Sequence, residues 1–337
     1  MMWTTIFTVA LATLPTTQAR PGMGKVMAEI MEKTERMTER DAMAVHPILK
    51  KKASGSNAVY KAPGPKDSDA CSKDKCCIWS YIVADMVAAF TEDTKCSSLA
   101  RGAIRLGFHD ASSWNTSMPV GGADGSILFS GELSRPENGG LQDIGHKTIA
   151  WFEQYKQYGV SGADLVQVGA NVATVVCPGG PRTLTLVGRP DSDFLPPRGL
   201  LPRADQGAPA LLDMFNAKGI SPAELVALMG AHSVSRQNFV NPAAPNAPQD
   251  TTPGDFDNRY FSETSAVHAP GGVVRFASDI ALAHDPATSA IWNSFGARDA
   301  QAPWAEAYAA AYLKMSLMGV KDVGALTDCT ATLPLPR

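Results

Sequence analysis

Beyond Cys71 the apolar positions recur mostly at three- and four-residue intervals, the spacing of helices with one buried face. "CCIWSYIVADMVAAF" and "SSLARGAIRLGFHD" predict the first two helices, followed by a long glycine-rich loop through residue 126. "SGADLVQVGANVATVV" starts another, with Ser161 as N-cap and Asp164 at the third helical position. In "SPAELVALMGAHSVSR" Ser221, Pro222 and Glu224 form a capping box with proline at the first helical position, so a long helix carrying His232 near its middle is expected. "AEAYAAAYLKMSLMG" predicts a late alanine-rich helix, and "RTLTLVGR" is the one good strand-like run. The pattern therefore predicts a mainly helical fold with long structured loops and no internal repeat.

Composition narrows the class. The chain has 337 residues, 45% hydrophobic and 19% charged, with a net charge of −3. That is enough for a large core and too little positive charge for a nucleic-acid footprint or an anionic membrane surface. "MMWTTIFTVALATLPTTQA" resembles a secretory signal over residues 1–19, though without a positive start. Residues 20–70, rich in Met, mixed charge and then Lys, Gly and Pro, read as a flexible leader or propeptide, with the ordered domain starting near Cys71. No later apolar run is long enough to span a bilayer, so a secreted, extracellular protein is expected. Six cysteines (71, 76, 77, 96, 177 and 329) suit an oxidising compartment and three disulfides, for which sequence alone allows about 15 pairings. Asn115-Thr116-Ser117 is a glycosylation sequon.

Two helical histidines carry the chemistry. Arg105 and His109 lie four residues apart and share a helix face, where a guanidinium can stabilise a developing anion while an imidazole moves a proton. His232 stands among Leu228, Met229 and Val234, with Gly230 and Ala231 leaving room beside it for something flat and large. A lone histidine on an apolar helix is usually a core residue, but each of these is followed by an oxygen ligand. Asp110 joins "GGADGS", which offers the Gly122 carbonyl, Asp124 and Ser126. Ser233 is followed downstream by Asp250, Thr252, Asp255 and Asp257 of "DTTPGDFD". Both sets suit Ca²⁺ without matching an EF-hand.

Together, R-x-x-F-H-D at 105–110, GGADGS at 121–126, GAHSV at 230–234 and D-x-T-P-x-x-F-D at 250–257 closely resemble the secreted fungal class II haem peroxidases, of the plant-type haem peroxidase superfamily. The resemblance covers Cys71 to about Cys329. It implies a mainly α plant-type peroxidase fold with little β, in which a distal domain (71–190) and a proximal domain (191–337) sandwich one haem b. It implies His109 as distal acid–base residue, Arg105 as its cationic partner, Phe108 on the distal wall, Asn138 bonded to His109 and Glu132 behind Asn138. His232 would be the iron ligand and Asp279 the acceptor of its other N–H. Two Ca²⁺ ions would be held, the distal by Asp110, Gly122, Asp124 and Ser126, the proximal by Ser233, Asp250, Thr252, Asp255 (through its carbonyl) and Asp257. Disulfides Cys71–Cys77, Cys76–Cys329 and Cys96–Cys177 follow by the same resemblance. Hydrogen peroxide would be the oxidant and small phenolic or aromatic donors the reductants, oxidised in one-electron steps through a ferryl haem radical, by a monomer.

Departures from the resemblance bear on the donor. Manganese-oxidising relatives place three carboxylates where this chain has Ser98, Gly102 and Asn238, so a dication has no charged cage. Relatives place an aromatic ring beside the proximal histidine where this chain has Gln249, whose polar amide would change the iron's environment, and lignin-type relatives carry a surface tryptophan where it has Ala227. The missing manganese carboxylates and the missing surface tryptophan point to a generic, low-potential enzyme. Two other readings stand beside it: a catalytically idle calcium- and disulfide-stapled surface or signalling protein, and a non-haem site in which His109 and His232 share one ion. Retention of Arg105, His109, Asn138, His232 and Asp279 together argues against the first, and the separate calcium-like loops argue against the second.

Overall fold

The computed structural model describes residue 53 and residues 55–337; the expected signal and most of the expected leader lie outside these. Ten helices are used below: α1 Cys77–Phe90, α2 Ser98–Ser112, α3 Gln142–Tyr155, α4 Gly162–Val176, α5 Ala208–Asn216, α6 Pro222–Met229, α7 Arg259–Ser265, α8 Ala277–His284, α9 Ser289–Phe295 and α10 Gln301–Met315. Among the described residues, strand structure is confined to three antiparallel pairs of two-residue strands. Thr91–Glu92 (β1) pairs with Lys95–Cys96 (β2), Leu186–Val187 (β3) with Thr327–Asp328 (β6), and Arg236–Gln237 (β4) with Ala247–Pro248 (β5). The fold is mainly α, as expected, and only two residues of "RTLTLVGR" pair as strand.

The centre is α4, every residue of which is buried. Its start is fixed as the sequence suggests: the Ser161 hydroxyl accepts from the Asp164 amide at 3.1 Å. Asp164 in turn takes the buried Arg189 guanidinium at 2.8 Å, so the only charge on α4 is paired. Helix α2 packs along α4, and Gly107 sets how closely. A Cβ there would stand 2.4 Å from the Tyr312 hydroxyl and 2.7 Å from Ala170 Cβ, distances no side chain tolerates. Ser97 caps α2 by accepting from the Ala100 amide at 3.2 Å. Past its other end, Lys218 donates to the carbonyls of Ser112 and Trp114, both at 2.8 Å, and burial pushes its pKa down to about 8. The helix that carries Arg105 and His109 is therefore held at both ends and along its flank.

Helix α6 begins with the expected capping box between Ser221 and Glu224. Glu224 also receives Lys314 of α10 at 2.8 and 2.9 Å in a fully buried pair, and removing one partner of such a pair costs about 3–5 kcal/mol. The α-helix stops at Met229, and Gly230–Val234 continue as a 3₁₀ turn. His232 thus sits on a tight turn after α6 rather than mid-helix. Gly230 has a packing reason of its own: a Cβ would fall 2.3 Å from the Trp304 ring, so its bareness admits that indole. Helix α10 starts at Gln301, earlier than its alanine-rich run suggests, because Pro303 falls in the first turn where no amide is missed.

All three disulfides join the pairs given by the resemblance, Cys71–Cys77, Cys76–Cys329 and Cys96–Cys177. The ordered chain begins before Cys71, which corrects the expected boundary of the leader. Ala53 is buried, the Tyr60 amide donates to the Ala331 carbonyl, and its hydroxyl donates to Asp74. Arg182 reaches the carbonyls of Ala58 and Leu333 at 2.8 and 2.7 Å, stitching this segment to the C-terminal one. Backbone carbonyls supply the affinity, so composition gave no sign of it. Among the described residues no helix is long and apolar enough to cross a membrane.

Candidate active site

On α2 the four-residue spacing works as helical geometry requires. Arg105 Nε donates to His109 Nε2 at 3.1 Å. The guanidinium is aimed by two carbonyls, Gly139 at 2.8 Å and Glu137 at 3.2 Å. Burial pushes its pKa down to about 10, so it stays cationic at neutral pH. His109 Nδ1 meets Asn138 Oδ1 at 2.6 Å, and Asn138 Nδ2 donates to the Glu132 carbonyl at 2.8 Å. That second bond fixes the amide: its oxygen must face His109, so Nδ1 carries the hydrogen and Nε2 keeps a lone pair. Burial, and then the nearby Arg105 charge, hold the imidazole well below its ordinary pKa. A neutral base beside a fixed cation results. Phe108 lies edge-on to His109 and stacks on Phe215 of α5.

Glu132 reaches Asn138 through its backbone, whereas its carboxylate accepts from Ser126 at 2.8 Å and Ser130 at 3.2 Å. The distal oxygen set is drawn together around that contact. Asp110 accepts from the Gly125 amide at 3.2 Å, and Asp124 from the Ser126 amide at 3.1 Å. The Gly122 carbonyl accepts from the Asp124 amide. Burial, and secondarily Asp124, push Asp110 far above the usual carboxylate range; burial also raises Asp124. One buried and one half-buried carboxylate without a Lys or Arg partner among the described residues suit a hard cation.

His232 is held by α8. Its Nδ1 meets Asp279 Oδ2 at 2.9 Å, which leaves Nε2 as the nitrogen able to bind a metal. Phe276 and Tyr260 lie edge-on to the ring. Immediately after it, Ser233 Oγ, Asp250 Oδ2 and Thr252 Oγ1 are all buried with no hydrogen-bond partner. Orphaned oxygens of this kind are costly unless something binds them, and burial pushes Asp250 up to about 8 and raises Asp257. This donor set fits a calcium ion. Asp255 differs from its neighbours: its carboxylate is taken by Lys95, so only its carbonyl can serve. No group of three or more His, Cys, Asp or Glu side chains suited to a metal occurs among the described residues, so hydroxyls and carbonyls must complete either shell.

Positions that bear on the donor are equally informative. Ser98 and Asn238 are exposed, and a Cβ at Gly102 would press Ile144 at 3.1 Å. Arg101, next to Gly102, lies near enough to Arg236 that their repulsion, after burial, lowers its pKa. Ala227 is fully buried, with its carbonyl accepting from the Trp304 indole at 3.0 Å. Trp79, Trp151, Trp292 and Trp304 are buried core residues; Trp114 is partly exposed. Asn115 of the sequon accepts from Ser117 in an exposed turn. Sequence reasoning missed Lys218 and Tyr260. Each acts on an atom brought near only by tertiary packing.

The peroxidase family model matches residues 82–298, which include both histidines and all their partners named above. A peroxidase of Coprinopsis cinerea is 34% identical over 310 residues, covering 83% of this chain and 84% of that protein. A peroxidase of Arthromyces ramosus is 34% identical over 304 residues, covering 83% and 81%. Manganese peroxidase 2 of Phlebia radiata is 34% identical over 270 residues, covering 72% and 68%. With the distal and proximal constellations in hand, these likenesses make the chain a member of the peroxidase family, akin to the fungal class II enzymes, and an oxidoreductase acting on hydrogen peroxide.

Proposed function

We propose that this chain is a secreted, monomeric haem b peroxidase that oxidises small phenolic or aromatic donors one electron at a time, with His109 as its acid–base residue and His232 as its iron ligand. When bound, the haem supplies the iron that takes up peroxide and the oxidising equivalents passed to the donor. His109 Nε2 would accept a proton from one oxygen of peroxide and return it to the other, which leaves as water. Arg105 offsets the negative charge that grows on the leaving oxygen, and its two backbone carbonyls hold it in place before the reaction begins. Asn138 keeps the lone pair of His109 on the correct nitrogen; Glu132 and Phe108 support that arrangement. Asp279 keeps His232 electron-rich, which favours the higher oxidation states of iron.

The observation that carries this reading is the His109 Nδ1 to Asn138 contact at 2.6 Å beside the Arg105 contact at 3.1 Å. A core histidine has no need of a neutral Nε2 facing a cation. We assign the two oxygen sets to calcium ions that clamp the segments following His109 and His232. The donor class is supported by Ser98, Gly102 and Asn238, which offer Mn²⁺ no charge, beside Arg101 and Arg236, which repel it. It is also supported by Ala227, buried where a surface tryptophan would be required.

The optical spectrum of purified, haem-reconstituted protein tests the proposal. A Soret band that shifts on adding hydrogen peroxide and returns on adding a phenol is expected. No Soret band overturns the haem assignment, and a band that peroxide leaves unchanged indicates the idle scaffold. A donor panel of Mn²⁺, a small phenol and a non-phenolic aromatic should give turnover with the phenol.

A further inference from the structure

The carboxylate behind His232 is shared among more donors than holding one imidazole requires. Asp279 Oδ2 accepts from His232 Nδ1 at 2.9 Å, from Gln249 Nε2 at 2.9 Å and from the Tyr260 hydroxyl at 2.8 Å. Its Oδ1 accepts from Ser278 at 2.8 Å. Gln249 and Tyr260 are buried, so neither can exchange this partner for bulk water. The acceptor-only carboxylate of Asp279 fixes the direction of the Gln249 amide. Ser235 Oγ lies against Gln249 Oε1, and reversing the amide would set that oxygen against a carboxylate oxygen. Gln249 Nε2 and the Tyr260 hydroxyl each lie 3.4 Å from His232 Nδ1, so all three donors crowd one acceptor atom.

The physical consequence concerns charge. A carboxylate raises the electron density of a metal-bound imidazole by drawing on its N–H. Every further donor to the same oxygen withdraws some of that capacity, because a hydrogen bond to a charged acceptor is among the stronger ones. With Gln249 and Tyr260 bonded to Oδ2, the hydrogen stays more firmly on His232 Nδ1 and less density reaches Nε2. An apolar side chain at position 249 would leave the carboxylate free to draw harder.

We propose that Gln249, together with Tyr260, is a positioning residue that tempers the pull of Asp279 on His232 and thereby favours the ferrous over the ferric state of the bound iron. The inference rests on the reading of His232 as the iron ligand. It assigns a purpose to the polar amide that departs from the family pattern at this position. Gln249 touches neither iron nor substrate, and acts only through the carboxylate.

The test compares haem-reconstituted wild type, Gln249→Leu and Tyr260→Phe. Spectroelectrochemistry gives the ferrous-to-ferric ratio at a fixed applied potential, and resonance Raman gives the iron–histidine stretching frequency of the ferrous protein. In either variant the ratio should fall by roughly tenfold, the worth of about one charge-assisted hydrogen bond. The stretching frequency should rise in both. The two variants remove different donors, so one that fails to fold leaves the other to decide. Unchanged ratio and frequency in a variant that holds haem overturns the proposal, and a rise in the ratio overturns it equally. Absence of any iron–histidine band in the wild type instead overturns the assignment of His232 on which it rests.

Discussion

His109 and His232 both commit Nδ1 to a neighbour and so reserve Nε2, but the neighbours differ in kind. The distal ring leans on a neutral amide, itself fixed by a backbone carbonyl, and a cation stands at its Nε2. The proximal ring leans on a buried carboxylate that four donors surround. An amide orients an imidazole without adding charge, which suits a base that must lose its proton again. A carboxylate orients it and makes it a stronger electron donor, which suits a ligand of oxidised iron. The supports differ as well: His109 stands on a continuous helix packed against α4, and His232 on a 3₁₀ turn secured by its side-chain partners. One histidine is positioned by its backbone, the other by its carboxylate.

Removing the distal cation should have the larger effect. Arg105→Leu is expected to slow the reaction with peroxide by roughly 10²–10³-fold, the scale for losing one preorganised charge-stabilising group, while leaving haem bound. Stopped-flow absorbance measures it, and a loss of haem instead would place Arg105 in cofactor binding. The same variant removes a charge that lowers the pKa of His109, so the acid limb of the rate profile should move to higher pH. In the wild type that limb is expected below the ordinary histidine range, because burial and then Arg105 favour the neutral ring. Next comes the proximal carboxylate. Asp279→Ala should weaken haem retention by roughly 10–100-fold, as loss of a partner behind a metal ligand does, read by titration of the apoprotein with haem.

The smallest effect concerns the proximal oxygen set. In calcium-free protein the folded-state pKa of Asp250 is pushed up to about 8 from an ordinary 3.8 by burial. A proton is therefore held more tightly in the folded state than in the unfolded one. This contribution is full below about pH 4 and is lost as the pH rises towards 8. Calcium needs the ionised carboxylate, so its stabilisation should grow over the same window. Melting temperatures of calcium-depleted and calcium-loaded protein should differ by a few degrees at pH 5 and by more at pH 8. An equal difference at both pH values contradicts the assignment.

What could be read from the sequence divides along the same line. The start of α2, the capping box of α6 and the pairing of Arg105 with His109 are local, set by residues three or four apart, and all were legible. The oxygen sets were legible because their glycines, aspartates and hydroxyls lie in short runs. Features that depend on distant packing were not: Gly230 yields to Trp304, Lys218 closes the end of α2, and Tyr260 reaches Asp279 across two elements. The early end of α6 belongs with these, since its apolar periodicity continues through Val234. Gln249 stood out only as a departure. Its partners, Ser235 and Asp279, lie 14 and 30 residues away, where no periodicity could indicate them.

The contrast between the two histidines rests most directly on the role of His109 as base. Haem-reconstituted wild type and His109→Ala should each be mixed with one equivalent of hydrogen peroxide while the Soret band is followed in a stopped-flow instrument. A variant that keeps its Soret band but reacts roughly 10²–10⁴-fold more slowly is the expected result. Equal rates in the two proteins would contradict the account.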